Sequence, residues 1–204
     1  MANLKDIRDR IKSVKSIQKV TKAMKMVAAA KMRKAQERME QARPYSNSLS
    51  EIIEHLLPDI DRESLTLLQV REIKRKAYVI VSADRGLAGA FNTNLLKIAQ
   101  KEIDEFGREN VDIFCIGKKA RDHFNYRNYN VLESHIDFWA EMEFENAMMI
   151  GRSVIDHFTS GSVDEIHVVY NYFTNIAQQE VKSEALLPLS FDEGDYTASG
   201  RLYE

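Results

Sequence analysis

The chain has 204 residues, 44% hydrophobic and 29% charged, with 29 Lys and Arg against 31 Asp and Glu. That composition is that of a folded globular protein, with length for one domain plus an extra element or for two small domains. No run of about 18 apolar residues occurs, so no membrane-spanning helix is predicted. The single cysteine, Cys115, permits no intrachain disulfide and no cysteine-cluster zinc site, which fits a reducing compartment.

The first residues, Met-Ala-Asn-Leu-Lys-Asp-Ile-Arg, contain no apolar signal core, and Asp6 and Asp9 stand among the basic residues. Both features argue against a secretory or transit segment. Charge is distributed unevenly. Residues 1–43 carry thirteen Lys and Arg and four Asp and Glu, a net of +9. The remainder therefore carries sixteen basic and twenty-seven acidic residues, a net of −11, and the two sum to the formal −2. One basic segment on an acidic body is either a solvated helix face or a surface for something acidic.

Residues 3–43 lack Gly and Pro and are rich in Ala, Lys, Arg, Met and Glu, all good helix formers. Leu4, Ile7, Ile11 and Val14 recur at steps of three and four. The phase slips at Ile17, Val20, Met24 and Val27, and Met32, Ala35, Met39 and Ala42 restore it. A near-heptad seam with a slip predicts a helix that winds irregularly around another helix. At 1.5 Å per residue it would run roughly 60 Å, too long to bury its stripe against one small domain. Pro44 is expected to kink this helix or end its first part at Arg43. Helical spacing resumes through Tyr45, Leu49, Ile52, Ile53, Leu56 and Leu57, and Pro58-Asp59 stops it.

Residues 1–57 thus form a predicted long coiled-coil-type helix, 58–76 a charged linker with an uncertain short helix, and 77–204 a separate domain. In that domain Ala77–Ser82 is an apolar, β-branched run consistent with a buried strand. Asp84–Gly89 is a turn, and Asn92–Phe106 a helix stopped by Gly107. Val111–Ile116 is a second buried strand, followed by a short helix around Lys118–Phe124. Residues 126–138 are ambiguous, with a possible strand near Val131. Phe144, Ala147, Met148, Gly151, Ile155 and Phe158 mark a further helix closed by Gly161. Glu165–Phe173 and Gln178–Leu189 read as strands forming an antiparallel hairpin. The alternation predicts a Rossmann-like α/β domain with a mostly parallel sheet.

Few motifs suggest chemistry. The Asp84–Asn92 turn lies between a strand and a helix, where backbone N–H groups can cradle phosphate, so a nucleotide-binding α/β enzyme is one reading. It matches neither G-x-G-x-x-G nor the P-loop pattern, and Gly86 and Gly89 equally suit a tight turn with close helix–strand contact. His55, His123, His135, His157 and His167 are scattered without metal-ligand spacing and read as surface or capping residues. Asp156-His157 has no serine partner at a telling spacing. Glu141, Glu143 and Glu145 sit near a helix start, where they favour its dipole. The basic helix carries no aromatic residue before Tyr45 on which a base could stack, and no Trp or Phe to anchor it in a membrane surface. No catalytic, cofactor-binding or metal-ligating residue is assigned.

Three segments carry a family resemblance. Ile17-Gln-Lys-Val-Thr-Lys-Ala-Met-Lys-Met-Val-Ala-Ala-Ala-Lys-Met-Arg-Lys-Ala35 resembles the N-terminal helix of ATP synthase gamma subunits. Asp84-Arg-Gly-Leu-Ala-Gly-Ala-Phe-Asn92 resembles that family's second signature, where a cysteine often stands at the place of Ala88. Arg201-Leu-Tyr-Glu204 resembles the segment before the family's C-terminal helix. The resemblance implies a non-catalytic central-stalk rotor. Its N-terminal helix would pair with a C-terminal helix inside a hexamer of alpha and beta subunits, with the α/β domain near epsilon and the c-subunit ring. Lys22, Met24 and Lys25, with Lys31 and Arg33 in the same motif, would face alpha and beta; Tyr203 and Glu204 would approach the ring. It further implies nucleotide chemistry on other chains and no cofactor. The absence of a transit segment points to the cytoplasmic side of a bacterial inner membrane. Family members continue past the position of Glu204 into a long helix, so the chain is expected to be a fragment.

Overall fold

The computed structural model describes residues 3–56, 65–137, 139, 143–175 and 178–189. The chain divides into two compact units, 1–60 and 61–204. The first is one helix, α1, Leu4–Leu56, 53 residues long. It starts on a reciprocal cap: the Lys5 N–H donates to Asn3 Oδ1 at 3.4 Å, and the Asn3 N–H to Asp6 Oδ2 at 3.3 Å. The helix does not end at Arg43 but runs unbroken through Pro44. Proline removes one N–H and costs about 3 kcal/mol, which helix formers on both sides offset over so long an element.

The second unit is built on a five-stranded sheet of order β3-β2-β1-β4-β5. β1 (Lys76–Val81), β2 (Val111–Ile116), β3 (Val131–His135) and β4 (Glu165–Phe173) are parallel; β5 (Gln179–Leu187) pairs antiparallel with β4. Between them lie α2 (Phe91–Phe106), α3 (Lys118–Tyr126) and α4 (Phe144–Thr159). The ambiguous stretch 126–138 contains the edge strand β3, whose burial alternates where β2 is buried throughout. Short, half-buried edge strands give a weaker apolar signal than central ones.

Alternation along the strands produces two cores. Tyr78, Ile80, Ile113 and Cys115 pack with Leu95, Ala99 and Ile103 of α2 and Phe124 of α3. Ala77, Val79, Phe114 and Ile116 pack with Ile150, Val154 and Phe158 of α4. A register shift between Ile113 and Phe114 changes which β3 residues face each layer. Val131 packs into the first core, while Glu133 accepts a hydrogen bond from Ser153 of α4.

The expected linker 58–76 is, from Leu65 onward, docked on the sheet. Leu68 of the 3-10 turn Thr66–Leu68 is buried, and the Leu189 N–H donates to the Leu67 carbonyl at 2.9 Å. Arg71 donates to the Phe158 carbonyl, and the Lys74 and Arg75 N–H groups both donate to Asp164 Oδ2 at 2.8 and 2.9 Å. Burial raises the Asp164 carboxyl, but those two backbone donors, with Arg71 and Lys74 nearby, pull it below its usual range.

Candidate functional site: the exposed face of the long helix

The apolar stripe of α1 is uncovered. Leu4, Ile7, Ile11, Val14, Ile17, Val20, Met24, Val27 and Met32 are all exposed, Met24 at 65%. Covering one Leu or Ile is worth roughly 1.5–3 kcal/mol, so the stripe is a large unspent reserve of association energy. The one hydroxyl amid the apolar slip, that of Thr21, donates back to the Ile17 and Gln18 carbonyls at 3.0 Å and so stays on its own helix.

Lys22, Met24, Lys25, Lys31 and Arg33 are likewise exposed. Helix geometry does not gather them into one patch. At about 100° per residue, Met24 and Lys31 share one face, within about 20° of each other. Lys22 and Arg33 share nearly the opposite face, also within about 20°, and Lys25 lies between the two groups. Arg33 Nε is 3.0 Å from Glu37 Oε1, an exposed i,i+4 pair worth about 0.3–0.5 kcal/mol. Tyr203 and Glu204 lie outside the described residues.

The Asp84–Asn92 turn sits at the carboxyl edge of the sheet, where a doubly wound fold holds a nucleotide. Here the protein's own side chains occupy that edge. Asp84 Oδ1 accepts the Lys118 N–H at the start of α3 at 2.8 Å, and its Oδ2 accepts the Asp137 N–H at 2.9 Å. The Ala83 N–H donates to Asn92 Oδ1 at 3.0 Å, and the Ala120 N–H to Ser82 Oγ at 2.8 Å. A carboxylate already fills the anion position at the α3 N-terminus, which disfavours a phosphate there. Gly89 adopts φ +55°, as a tight turn requires. The expected close helix–strand contact is not made by Gly86 or Gly89 but by Gly117. With φ +101°, a Cβ on Gly117 would collide with the Ser82 carbonyl oxygen. Leu87 stands fully exposed at φ +59° at the crown of the turn.

The histidines are network members rather than surface caps. His157 Nε2 lies 2.9 Å from Asp112 Oδ2, and Asp112 Oδ1 accepts from Arg75 at 3.0 Å and Asn130 at 2.6 Å. His157 therefore works with β2, not with its neighbour Asp156. The charged Asp112 inside an apolar run was the sequence signal for this clasp. His167 stacks on Tyr78 with ring centroids 5.3 Å apart, and His123 lies 2.9 Å from Gln100. The His55 side chain lies outside the described residues. Among the described residues no His, Cys, Asp or Glu group could hold a metal ion.

A doubly wound body without a recognised phosphate-binding motif, in one chain with a long helix that has an uncovered apolar seam and a strong positive charge, has the features of a partner-binding subunit. A family model described as ATP synthase matches residues 3–204. The chain is 42% identical over 205 residues to the ATP synthase gamma chain of Chloroherpeton thalassium, covering 98% of this chain and 67% of that one. It is 43% identical over 189 residues to that of Desulforamulus reducens, covering 93% and 66%. The chain belongs to the ATP synthase gamma-chain family. It spans about two thirds of the length of these curated relatives. Among solved structures, the central stalk and c-ring of Tetrahymena thermophila mitochondrial ATP synthase matches with TM-score 0.66 and 25% identity, covering 83% of this chain and 72% of that one. The rotor of the Euglena gracilis enzyme shares the fold, with TM-score 0.59 and 22% identity over 88% and 61%.

Proposed function

We propose that this chain is the non-catalytic rotor of an ATP synthase, coupling ion flow through the membrane sector to ATP synthesis by rotation. α1 serves as the shaft within the alpha and beta subunits, and the α/β body sits toward epsilon and the c-subunit ring. The observation that carries this reading is the uncovered apolar seam of α1 on a segment of net +9, in a chain of this family. Nucleotide chemistry belongs to other chains in this reading; the Asp84–Asn92 turn lacks a phosphate-binding motif, and its Asp84 is spent on the Lys118 and Asp137 N–H groups. Lys22, Met24, Lys25, Lys31 and Arg33 meet alpha and beta, with Met24 and Lys31 on one face and Lys22 and Arg33 on the other. Tyr203 and Glu204 approach the ring. Residues 1–57 act as shaft and 77–204, with the docked segment from Leu65 onward, as the ring-side domain. The site of action is the cytoplasmic face of a bacterial inner membrane, reached peripherally: no described helix is long and apolar enough to cross a membrane.

The test mixes the full chain with purified cognate alpha and beta subunits. The chain should co-purify with the alpha–beta assembly and hydrolyse no ATP alone. Calorimetry of the chain with ATP and NAD should show no binding; micromolar affinity for either would favour the nucleotide-binding enzyme instead.

A further inference from the structure

We propose that a basic ridge on α1, Arg8-Lys12-Lys15-Lys19-Lys22, is a steering strip that guides this helix onto an acidic protein surface. It acts on the rate of association more than on the strength of the final contact. The proposal rests on the shaft reading and adds to it a kinetic role and four residues outside the contact group named there, Arg8, Lys12, Lys15 and Lys19; Lys22 belongs to both.

The five residues follow one another at steps of four, three, four and three. On a helix of 3.6 residues per turn they fall within an arc of about 80° and extend for about 21 Å. All five are exposed, and none carries an ion pair among the described residues. Asp6 and Asp9 are the sole acids in the first thirty-six residues. Asp6 lies about 160° and Asp9 about 100° round the helix from the ridge's centre; Asp9 is three residues from Lys12 but forms no ion pair with it.

The slip in the apolar seam gives the ridge its direction. Leu4, Ile7, Ile11 and Val14 centre about 80° from the ridge, whereas Ile17, Val20, Met24 and Val27 centre about 140° from it. A helix laid on the seam is therefore flanked by Arg8 and Lys12 at one end. From Lys15 onward the ridge points away from that helix, toward whatever surrounds the pair. The surroundings that fit are protein carboxylates. Residues 1–43 contain no aromatic side chain, so a nucleic acid would find charge without a stacking platform.

Single exposed lysines add little to a formed contact and are screened within about 8 Å at physiological salt. Five unopposed charges in a row act together before contact, where steering raises association rates by about 10- to 1000-fold at low salt. The same row repels a second copy of α1, so the seam favours a different, less basic helix.

The test is stopped-flow association of the full chain with the cognate alpha–beta assembly at about 0.05 M and about 0.5 M salt. It uses the variant R8Q/K12Q/K15Q/K19Q, which leaves Lys22 and the other proposed contact residues intact. Glutamine is nearly as good a helix former as lysine, and circular dichroism should confirm unchanged helicity. The expected result is association slowed about tenfold at low salt, the gap closing at high salt, and dissociation changed less than about threefold. An unchanged association rate, a loss carried by dissociation, or a gap that persists at high salt overturns the steering role while leaving the shaft reading intact. Failure of the unmodified chain to bind the assembly sinks both. A fluorescent DNA duplex provides the last arm: micromolar binding at about 0.15 M salt, abolished in the variant, would make the ridge a nucleic-acid strip instead.

Discussion

Ile11 of α1 and Ile113 of β2 are the same side chain in opposite surroundings: one is 50% exposed, the other fully buried. The contrast holds across the two units. In the α/β body, strand alternation feeds two cores, and buried polar groups such as Asp112 and Ser82 have named partners inside the body. In α1 the apolar residues are as large, yet no core forms around them, and the polar groups satisfy themselves within one or two turns. A body with two cores of its own holds the burial it needs to fold as a unit. A helix that leaves its stripe open carries its binding energy in reserve for another chain.

Three experiments sharpen that contrast. The largest effect is expected from Gly117→Ala. It forces a side chain onto the Ser82 carbonyl at positive φ and should destabilise the body by about 3–5 kcal/mol, read as a lowered Tm with α1 helicity retained. Equal loss of α1 signal would show that the units are not independent. A smaller effect is expected from Asp164→Asn, which keeps an oxygen for the Lys74 and Arg75 N–H groups but removes the charge. The carboxyl of Asp164 is held low, so its contribution is complete above its unfolded value near 3.8 and vanishes as pH falls through the lower folded value. The variant should therefore melt earlier at neutral pH and converge with the unmodified chain as pH falls through the lowered folded value. A gap that grows in acid would reverse the sign. The smallest effect is expected from I11Q/V14Q: no core is lost, so thermal stability of the chain alone should move by less than about 0.5 kcal/mol, while capture by the alpha–beta assembly weakens.

Most elements of the body were legible because they are periodic; the edge strand β3 was not. The apolar runs 77–82 and 111–116 match β1 and β2 within a residue, and the stripe from Phe144 to Phe158 matches α4. Two local rules misled. Pro44 was read as kinking the helix or ending its first part, because proline disfavours helix locally; the helix does not end there, since a long helix absorbs one lost hydrogen bond. Residues 65–75 were read as linker because their charges mask Leu67, Leu68 and the tether to Asp164. In the site, the seam and the excess charge of α1 were visible in spacing alone, since both are properties of a single helix.

What spacing could not supply was every relation between strands. Asp112 with His157, Asp84 with Lys118 and Asp137, and Gly117 against Ser82 join residues 34 to 53 positions apart. Such contacts depend on sheet order and register, which only the closed fold fixes. The sequence by itself determined that one end of this protein is a basic, half-greasy helix and the other an α/β body. The tertiary structure decided that Asp84, at the end of β1, ties down the segments that follow β2 and β3, because the sheet order brings those three strand ends together.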